Sequence, residues 1–567
     1  MFATKGNDSL RVQLRSLAFS GGQKLELRPD SIVVLVGPNN AGKTSTLREV
    51  LRNLERRENG PVLAAVEWEM QGDEDALRAW LDANVHARKN DYTAEKQWGW
   101  LDHTVDRSAL TAFWTYPGGQ RSLAPILVNL LSVENRLQIS LPPDVQALRD
   151  STPRHPIHAI VLKDGIEQQI SGQLRACFGA GIVLNRSLTS KCEVYVGDPP
   201  PKDAAEDRAS PSYVRRLQSL PRLEDEGHGI RSYFGCLLGL LASPGQIHLI
   251  DEPECFLHPP HARRLGRALV ELAPPERQIL IATHSPEVLQ GVVDASSTRV
   301  TIVRLVRSEG RNDACVLESA RLRQLWTDPL LRYSNVLQGL FNENVVICEG
   351  EADCRFYEAM CDASTRAEGA TQRSVLFTST AGKDRMATVA RALRTLGVPT
   401  RVVVDLDVLQ AAASLENLVD AMGGEWSQLR KDWQAVVKSM EQMPLTASVS
   451  VEHLQVILRD NKGSYVSDET AKRIRHELPA DSGWAAVKKA GTRAFPDGQT
   501  QDLLRKLIAQ LRRLGVFVVE VGELERFAPT VGNHGARWLA EVMGRDLATD
   551  AELREAREFA KALVAPL

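Results

Sequence analysis

No stretch of the 567-residue chain approaches 18 consecutive apolar residues, so no transmembrane helix is expected. The first residues lack the apolar core of a secretory signal, and the expected location is cytoplasmic with no membrane partner. The eight cysteines (Cys177, Cys192, Cys236, Cys255, Cys315, Cys348, Cys354 and Cys361) contain no Cys-x-x-Cys pair. They sit mostly in apolar segments and read as reduced thiols. Strong charge of either sign is also missing. A net charge of −3 excludes a globally basic surface, so a nucleic-acid partner would have to meet local basic patches. There is no solenoid repeat and no long low-complexity tract. With 43% apolar and 25% charged residues the composition is that of an ordinary globular protein. At this length one core is not enough, and two to four domains are expected.

The most informative stretch is Gly37-Pro38-Asn39-Asn40-Ala41-Gly42-Lys43-Thr44, which fits G-x-x-x-x-G-K-[ST]. The apolar run 31–36 precedes it, and residues 45–56 read as a helix. Glycines let the loop curl so that its N–H groups face phosphate oxygens, and the helix N-terminus adds its positive end. Gly37, Asn39, Asn40, Gly42, Lys43, Thr44 and Ser45 are the candidate nucleotide-binding residues here. Lys43 is expected at the β- and γ-phosphates and Thr44 on Mg²⁺.

Residues 11–36 alternate apolar and polar, which predicts a hairpin leading into the loop's strand. From about 60 to 150 periodicity is mixed and tryptophans concentrate (Trp68, Trp80, Trp98, Trp100, Trp114). This reads as an insertion, part helix and part strand, with the tryptophans best taken as core or a subunit contact. A helix is expected over 165–178, two short strands over 181–196, and an exposed linker over 198–213, where Pro199-Pro200-Pro201 stands among charges.

A helix opens at Gly227-His228-Gly229-Ile230-Arg231-Ser232. The strand Gln246 to Ile250 then delivers Asp251-Glu252-Pro253, with Asp251 suited to hold metal through water and Glu252 to orient an attacking water. Phe256-Leu257-His258-Pro259 and a helix to about 273 follow. The strand 278–282 ends in Thr283-His284-Ser285-Pro286, where His284 suits a γ-phosphate contact.

The second half begins another α/β unit. The strand from Asn344 ends in Glu349-Gly350-Glu351-Ala352-Asp353, and a helix follows. The strand 375–379 leads to Ala381-Gly382-Lys383-Asp384, and the strand 401–407 ends in Asp405-Leu406-Asp407. Alternate strand residues share a face, so Asp405 and Asp407 are expected together, joined by Glu349 from a neighbouring parallel strand. Converging carboxylates without histidine or cysteine suit hard cations, Mg²⁺ or Mn²⁺. The alternative is two solvated acidic loops that never meet. The strand from Gly515 ends in Gly522-Glu523-Leu524-Glu525. A mostly helical insertion, about 411–510, precedes it and contains a helix end with Lys488 and Lys489.

In this order the first-half motifs resemble an ATPase head of the ABC/SMC type. The start at Gly229 and Arg231 resembles the shortened signature of the overcoming-lysogenization-defect (OLD) family rather than L-S-G-G-Q. In such heads ATP lies between two protomers, so the resemblance implies a dimer, with Gly229 and Arg231 on the partner's nucleotide. The second half, E-G-x-x-D, then G-K, then D-x-D, resembles a Toprim domain. The element ending at Glu525 is similar to the G-[DE]-L-E of OLD-family Toprim nucleases, which implies Glu525 as a further metal ligand.

The whole reading is an α/β protein: residues 1–335 an ABC-type ATPase head, residues 336–567 a Toprim domain, as in OLD-family nucleases including the Gabija nuclease. The resemblance implies two-metal phosphodiester hydrolysis. Glu349, Asp353, Asp405, Asp407 and Glu525 would hold the metals. Lys383 or Lys561 would neutralise developing charge, and ATP at Lys43, Thr44, Asp251 and Glu252 would gate cutting. A nucleotide-gated DNA endonuclease, with a role in phage defence on resemblance alone, is preferred to an ATP-regulated RNA (tRNA) nuclease. A non-cutting clamp or sensor is disfavoured by the five carboxylates. No helicase motif is present, which leaves room for a separate helicase or sensor partner.

Overall fold

The computed structural model describes residues 9–89, 95–116, 118–145, 152–187, 190–203, 206–295, 297–318, 336–369, 374–380, 382–441, 451–459, 466–467, 470–471, 474 and 483–565. The chain divides into two compact units, Met1–Phe341 and Asn342–Leu567. The segment 319–335, which ends at the expected boundary, lies outside the described residues.

The first unit opens with β1 (Arg11–Phe19), β2 (Lys24–Glu26) and β3 (Ile32–Val36). β1 and β2 form the expected hairpin, but it belongs to a different sheet from β3. All five residues of β3 are buried, as a central parallel strand of Ile, Val and Leu demands. α1 (Lys43–Arg56) starts directly after Gly42, and β4 (Leu63–Gln71) pairs antiparallel with β1. Next come β5 (His86–Lys89), β6 (Lys96–Trp100) and β7 (His103–Val105), a small antiparallel sheet. β8 (Val128–Leu131) and the short α2 (Val133–Ile139) follow.

Two of these strands lie inside the span read as an insertion. β4 completes the sheet β2-β1-β4, and β8 is an edge of the main sheet. The first unit's own framework therefore runs through 60–150. The tryptophans form a core: Trp98 and Trp100 are buried with Leu77, Leu81 and Phe113, and Trp68, Trp80 and Trp114 pack against them.

α3 (Asp164–Phe178) and the hairpin of β9 (Ile182–Leu184) with β10 (Val194–Val196) lie where periodicity put them. The 198–213 segment is not simply a linker. Its Arg208, with Arg186, pairs with the buried carboxylate of Glu167 at 2.8 and 2.7 Å, because a buried charge needs counter-charge. After α4 (His228–Ala242) come β11 (Ile247–Asp251), α5 (Pro259–Glu271), β12 (Gln278–Ala282), β13 (Val300–Ser308) and β14 (Arg311–Glu318). The main sheet has the order β14-β13-β3-β12-β11-β8. Its strands are parallel except for the antiparallel β13–β14 pair.

The second unit is built on β15 (Asn344–Cys348), α6 (Glu351–Glu368), β16 (Val375–Ser379), α7 (Lys383–Thr395) and β17 (Thr400–Asp405). The described part of 411–510 is helical, including Trp426–Glu441, α8 (Gly483–Ala490) and α9 (Gln499–Arg513). α9 leads into β18 (Val516–Val519), giving a parallel sheet of order β16-β15-β17-β18. α10 (Arg554–Val564) packs on α6 around Phe356, Tyr357, Phe527, Trp538 and Phe559. In both units the acidic motifs fall at the carboxyl ends of parallel strands, where ligands gather. Among the described residues, no helix is long and apolar enough to cross a membrane.

Candidate nucleotide cleft and candidate metal centre

The phosphate loop runs from β3 into α1. Gly37 and Gly42 adopt positive φ (142° and 93°), and a Cβ on Gly37 would lie 2.2 Å from the Leu305 carbonyl oxygen, so only glycine fits there. A cleft of about 600 Å³ is lined by Asn39, Asn40, Gly42, Lys43, Thr44 and Ser45 together with Glu252, His284, Arg307 and Asn312. Asn312 Nδ2 donates to the Ala41 carbonyl at 2.7 Å and so braces the loop from β14.

Lys43 folds back on its own loop, donating to the Gly37 and Pro38 carbonyls at 2.7 and 2.8 Å. Burial lowers its pKa to about 8, against the pull of Glu254, Glu252 and Asp251. Thr44 Oγ1 donates to Asp251 Oδ1 at 2.8 Å, which joins loop and β11 at the position a cation would take. Burial raises the Asp251 pKa, partly offset by that bond. Glu252, in the left-handed region at φ 46°, lies 3.3 Å from His284 Nε2. Burial first, and then the charge of Lys43, lowers the pKa of His284.

Two residues that organise this cleft, Glu254 and Arg136, were not singled out in the sequence. Glu254, whose pKa burial raises, accepts from Thr283 Oγ1 at 2.9 Å and from the His284 N–H at 2.6 Å, fixing the turn that carries the histidine. Buried Arg136, on α2, donates to the carbonyls of Asp251 and Glu252 at 2.5 and 2.9 Å. It also donates to Ser232 on α4 at 3.4 Å, so one guanidinium ties the acidic strand end to α4. Gly229 and Arg231 do not line this cleft. Arg231 bonds instead to Ser140 and to the Leu137 carbonyl, at 3.3 and 3.2 Å.

In the second unit, carboxylate oxygens of Glu349, Asp405 and Asp407 lie within 4.8 Å of one another. The strand-alternation argument for this pairing is overturned. β17 ends at Asp405, and Leu406–Gln410 is a 3₁₀ turn that swings Asp407 back beside it. Glu349 also accepts from the Asp405 N–H at 3.3 Å. Lys383 forms an ion pair with Asp407 and lies 3.7 Å from Glu349. Lys488, from α8, lies 3.0 Å from the other Asp407 oxygen. Only its place in a paired-lysine helix end hinted at this.

Asp353 caps its own helix, accepting from the Gly350 N–H at 2.8 Å. Burial raises its pKa, and the charge of Glu525 adds to the rise. Glu525 belongs to a second group with Glu523 and His534. Lys561 is exposed on α10, while Lys383 and Lys488 pair with Asp407. The electrostatics are those of anions crowded beyond their compensation. Burial, then the charges of Glu349, Asp353 and Asp407, push Asp405 up to about 8. Burial likewise raises Glu349, with Lys383 opposing. Burial would push Asp407 up too, but its bonds to Lys383 and Lys488 hold it below its ordinary value. An all-oxygen donor set with excess negative charge fits a hard divalent cation.

Comparison with known families separates the same two regions. Residues 205–290 match the family described as "AAA domain, putative AbiEii toxin, Type IV TA system". Residues 340–407 match "Overcoming lysogenization defect protein-like, TOPRIM domain". The chain joins an ATPase domain to an OLD-like Toprim domain. The Old nuclease of Escherichia phage P2 is 23% identical over 295 residues, 49% of each chain, so this chain spans about half the length of that relative. Among solved structures, the SMC head domain from Thermotoga maritima matches 55% of this chain and 100% of its own at 14% identity and TM-score 0.28. The Smc head domain from Pyrococcus furiosus with an extended coiled coil, bound to the C-terminal domain of ScpA, matches 56% and 99% at 11% identity and TM-score 0.32. The ATPase–Toprim composition implies use of a nucleotide and a divalent metal. The Toprim match ends at Asp407, so it contains Glu349, Asp353, Lys383, Asp405 and Asp407 but neither Lys488 nor Glu525.

Proposed function

We propose that this ATPase–Toprim protein is a nucleotide-gated, divalent-metal-dependent DNA endonuclease of the OLD kind, acting in defence against phage. The observation that carries the reading is the convergence of Glu349, Asp405 and Asp407 at the strand ends of an OLD-like Toprim sheet, with Asp353 in electrostatic reach of them and of Glu525. Glu349, Asp405 and Asp407 would hold one Mg²⁺ or Mn²⁺, and Asp353 with Glu525 a second. A bound pair of such ions would supply Lewis acidity at the scissile phosphate. The chain's own contribution is positional. Lys383 and Lys488 keep positive charge beside Asp407, where negative charge grows on a transferring phosphate. Lys561 keeps the role of an assisting lysine only if substrate approaches α10.

ATP with Mg²⁺ would occupy the first cleft, with Lys43 leaving the Gly37 and Pro38 carbonyls for phosphate oxygens. Thr44 and Asp251 would hold the ion, and Glu252 would orient water beside His284. Gly229 and Arg231 do not line their own chain's cleft, which leaves them for the partner's nucleotide in a homodimer of the kind the family resemblance implies.

Cleavage of supercoiled plasmid with Mg²⁺ or Mn²⁺, with and without ATP, tests the proposal against D405A/D407A. Nicking lost in the double variant supports it, and the ATP lanes give the sign of control. Cutting confined to a parallel tRNA panel would replace DNA by RNA as substrate. No cutting of either, with metal binding intact, would leave the clamp reading.

A further inference from the structure

A second cleft in the first unit, separate from the phosphate loop, has about 740 Å³ of space, within the range of small-molecule sites. Its walls are β5, the turn after β6, the segment 141–145 and residues 154–158, closed on one side by Asn135, Gln138 and Ile139 of α2.

We propose that this cleft binds a small phosphorylated organic molecule. Three observations support a ligand of this class. First, Arg88 and Arg154 both line the cleft, and among the described residues neither meets a carboxylate. The recorded bond of Arg154 is from Nε to the Leu101 carbonyl, at 3.3 Å. Asp102 and Asp144 also line the cleft without reaching either arginine. Arg88 is exposed and Arg154 half-buried, and the guanidinium fork of donors matches phosphate.

Second, two histidines on the same wall are incompletely bonded. His158 is 3% exposed, its Nε2 lies 3.1 Å from the Asp144 carbonyl, and its Nδ1 has no partner. His86 Nδ1 likewise has none. Buried polar atoms are seldom left so. Burial lowers the pKa of both rings, against a main-chain hydrogen bond at each; the charges of Arg154 and Arg88 add to the fall at His86, and those of His86 and Arg154 at His158. Third, Leu101, Pro142 and Leu141 form an apolar wall, and Leu141 is 42% exposed. That wall suits an organic body more than a bare phosphate ion.

The test uses the full chain carrying K43A, which removes the phosphate loop as a competing site. Ribose 5-phosphate and inorganic pyrophosphate are titrated calorimetrically into this background, then with R88Q, R88Q/R154Q or the exposed control pair R52Q/R56Q added. The proposal expects saturable 1:1 binding of ribose 5-phosphate, weakened about tenfold or more by R88Q and unchanged by R52Q/R56Q. Thermal melts monitor the fold. Among the described residues the Arg88 side chain has no hydrogen bond or ion pair to lose, so R88Q keeps the test alive if R154Q unfolds. No saturable binding of either probe overturns the proposal, as does equal weakening by the control pair. Binding of pyrophosphate alone removes the organic class. Binding of a short DNA duplex in place of both probes, with the same dependence on Arg88, replaces the pocket by a nucleic-acid contact.

Discussion

The two candidate sites are electrostatic opposites. In the first unit a cation is buried among carbonyls, and Lys43 is brought down to about 8. In the second unit anions are buried together, and Asp405 is brought up to about 8. Each site contains a charge that burial disfavours, and a ligand of opposite charge would relieve it: phosphate beside Lys43, a divalent cation at the acids around Asp405. The difference explains why Lys43 turns to its own backbone while Asp407 recruits lysines from two helices. A cation can be satisfied by main-chain oxygens on the spot, whereas crowded carboxylates need counter-charge from elsewhere.

The comparison breaks most sharply if the acids are removed. D405A/D407A is expected to lower strand scission by about a thousandfold or more, measured as initial rates on plasmid, while ATP binding stays intact. Loss of both functions together would show global damage instead. The mirror experiment is K43A. ATP affinity is expected to fall about a hundredfold by calorimetry, with Mn²⁺ affinity of the acid cluster unchanged. A parallel loss of metal binding would contradict two separately charged sites.

A third test concerns stability without metal. Asp405 has its folded pKa raised to about 8 from an ordinary 3.8, so its contribution to stability is complete below about 4 and is lost as pH rises towards 8. Metal-free D405N is therefore expected to be more stable than the unsubstituted chain at pH 8, by about 1–3 kcal/mol, and near parity at pH 4. Saturating Mg²⁺ should close the gap at pH 8. Melting curves showing the same gap at both pH values would refute the crowding argument. A last test, with only a modest effect expected on cleavage, is G522A. Gly522 has φ 113°, and a Cβ there would lie 2.5 Å from the Lys488 carbonyl oxygen. The substitution should cost about 1–3 kcal/mol and lower cleavage modestly by shifting α8. A variant with unaltered stability and cleavage would show that the seat of α8 is unimportant.

Much of both sites was legible because glycines and charges punctuate apolar strands, as at Gly37 to Thr44 and at Glu349-Gly350. What escaped depends on contacts distant in sequence. Arg136 sits in a stretch with no motif, and its role appears only when α2 lies under β11 and α4. β4 and β8 looked like parts of an insertion because their partners, β1 and β11, are far along the chain. Asp405 and Asp407 were placed together by a rule for strands, whereas a 3₁₀ turn brings them together. Lys488 was visible as a charge, but no pattern ties it to an aspartate on another segment.

That last contact bears on how such a chain can be remodelled. The helices between β17 and β18 have the look of an ornament, a part that could be trimmed or exchanged. Yet α8 is pressed into the glycine turn that follows β18 and hands its lysine to Asp407. A graft that kept every acid but swapped this helical stretch would inherit a cluster with one counter-ion fewer, and any exchange has to carry the lysine, its helix and Gly522 as one piece.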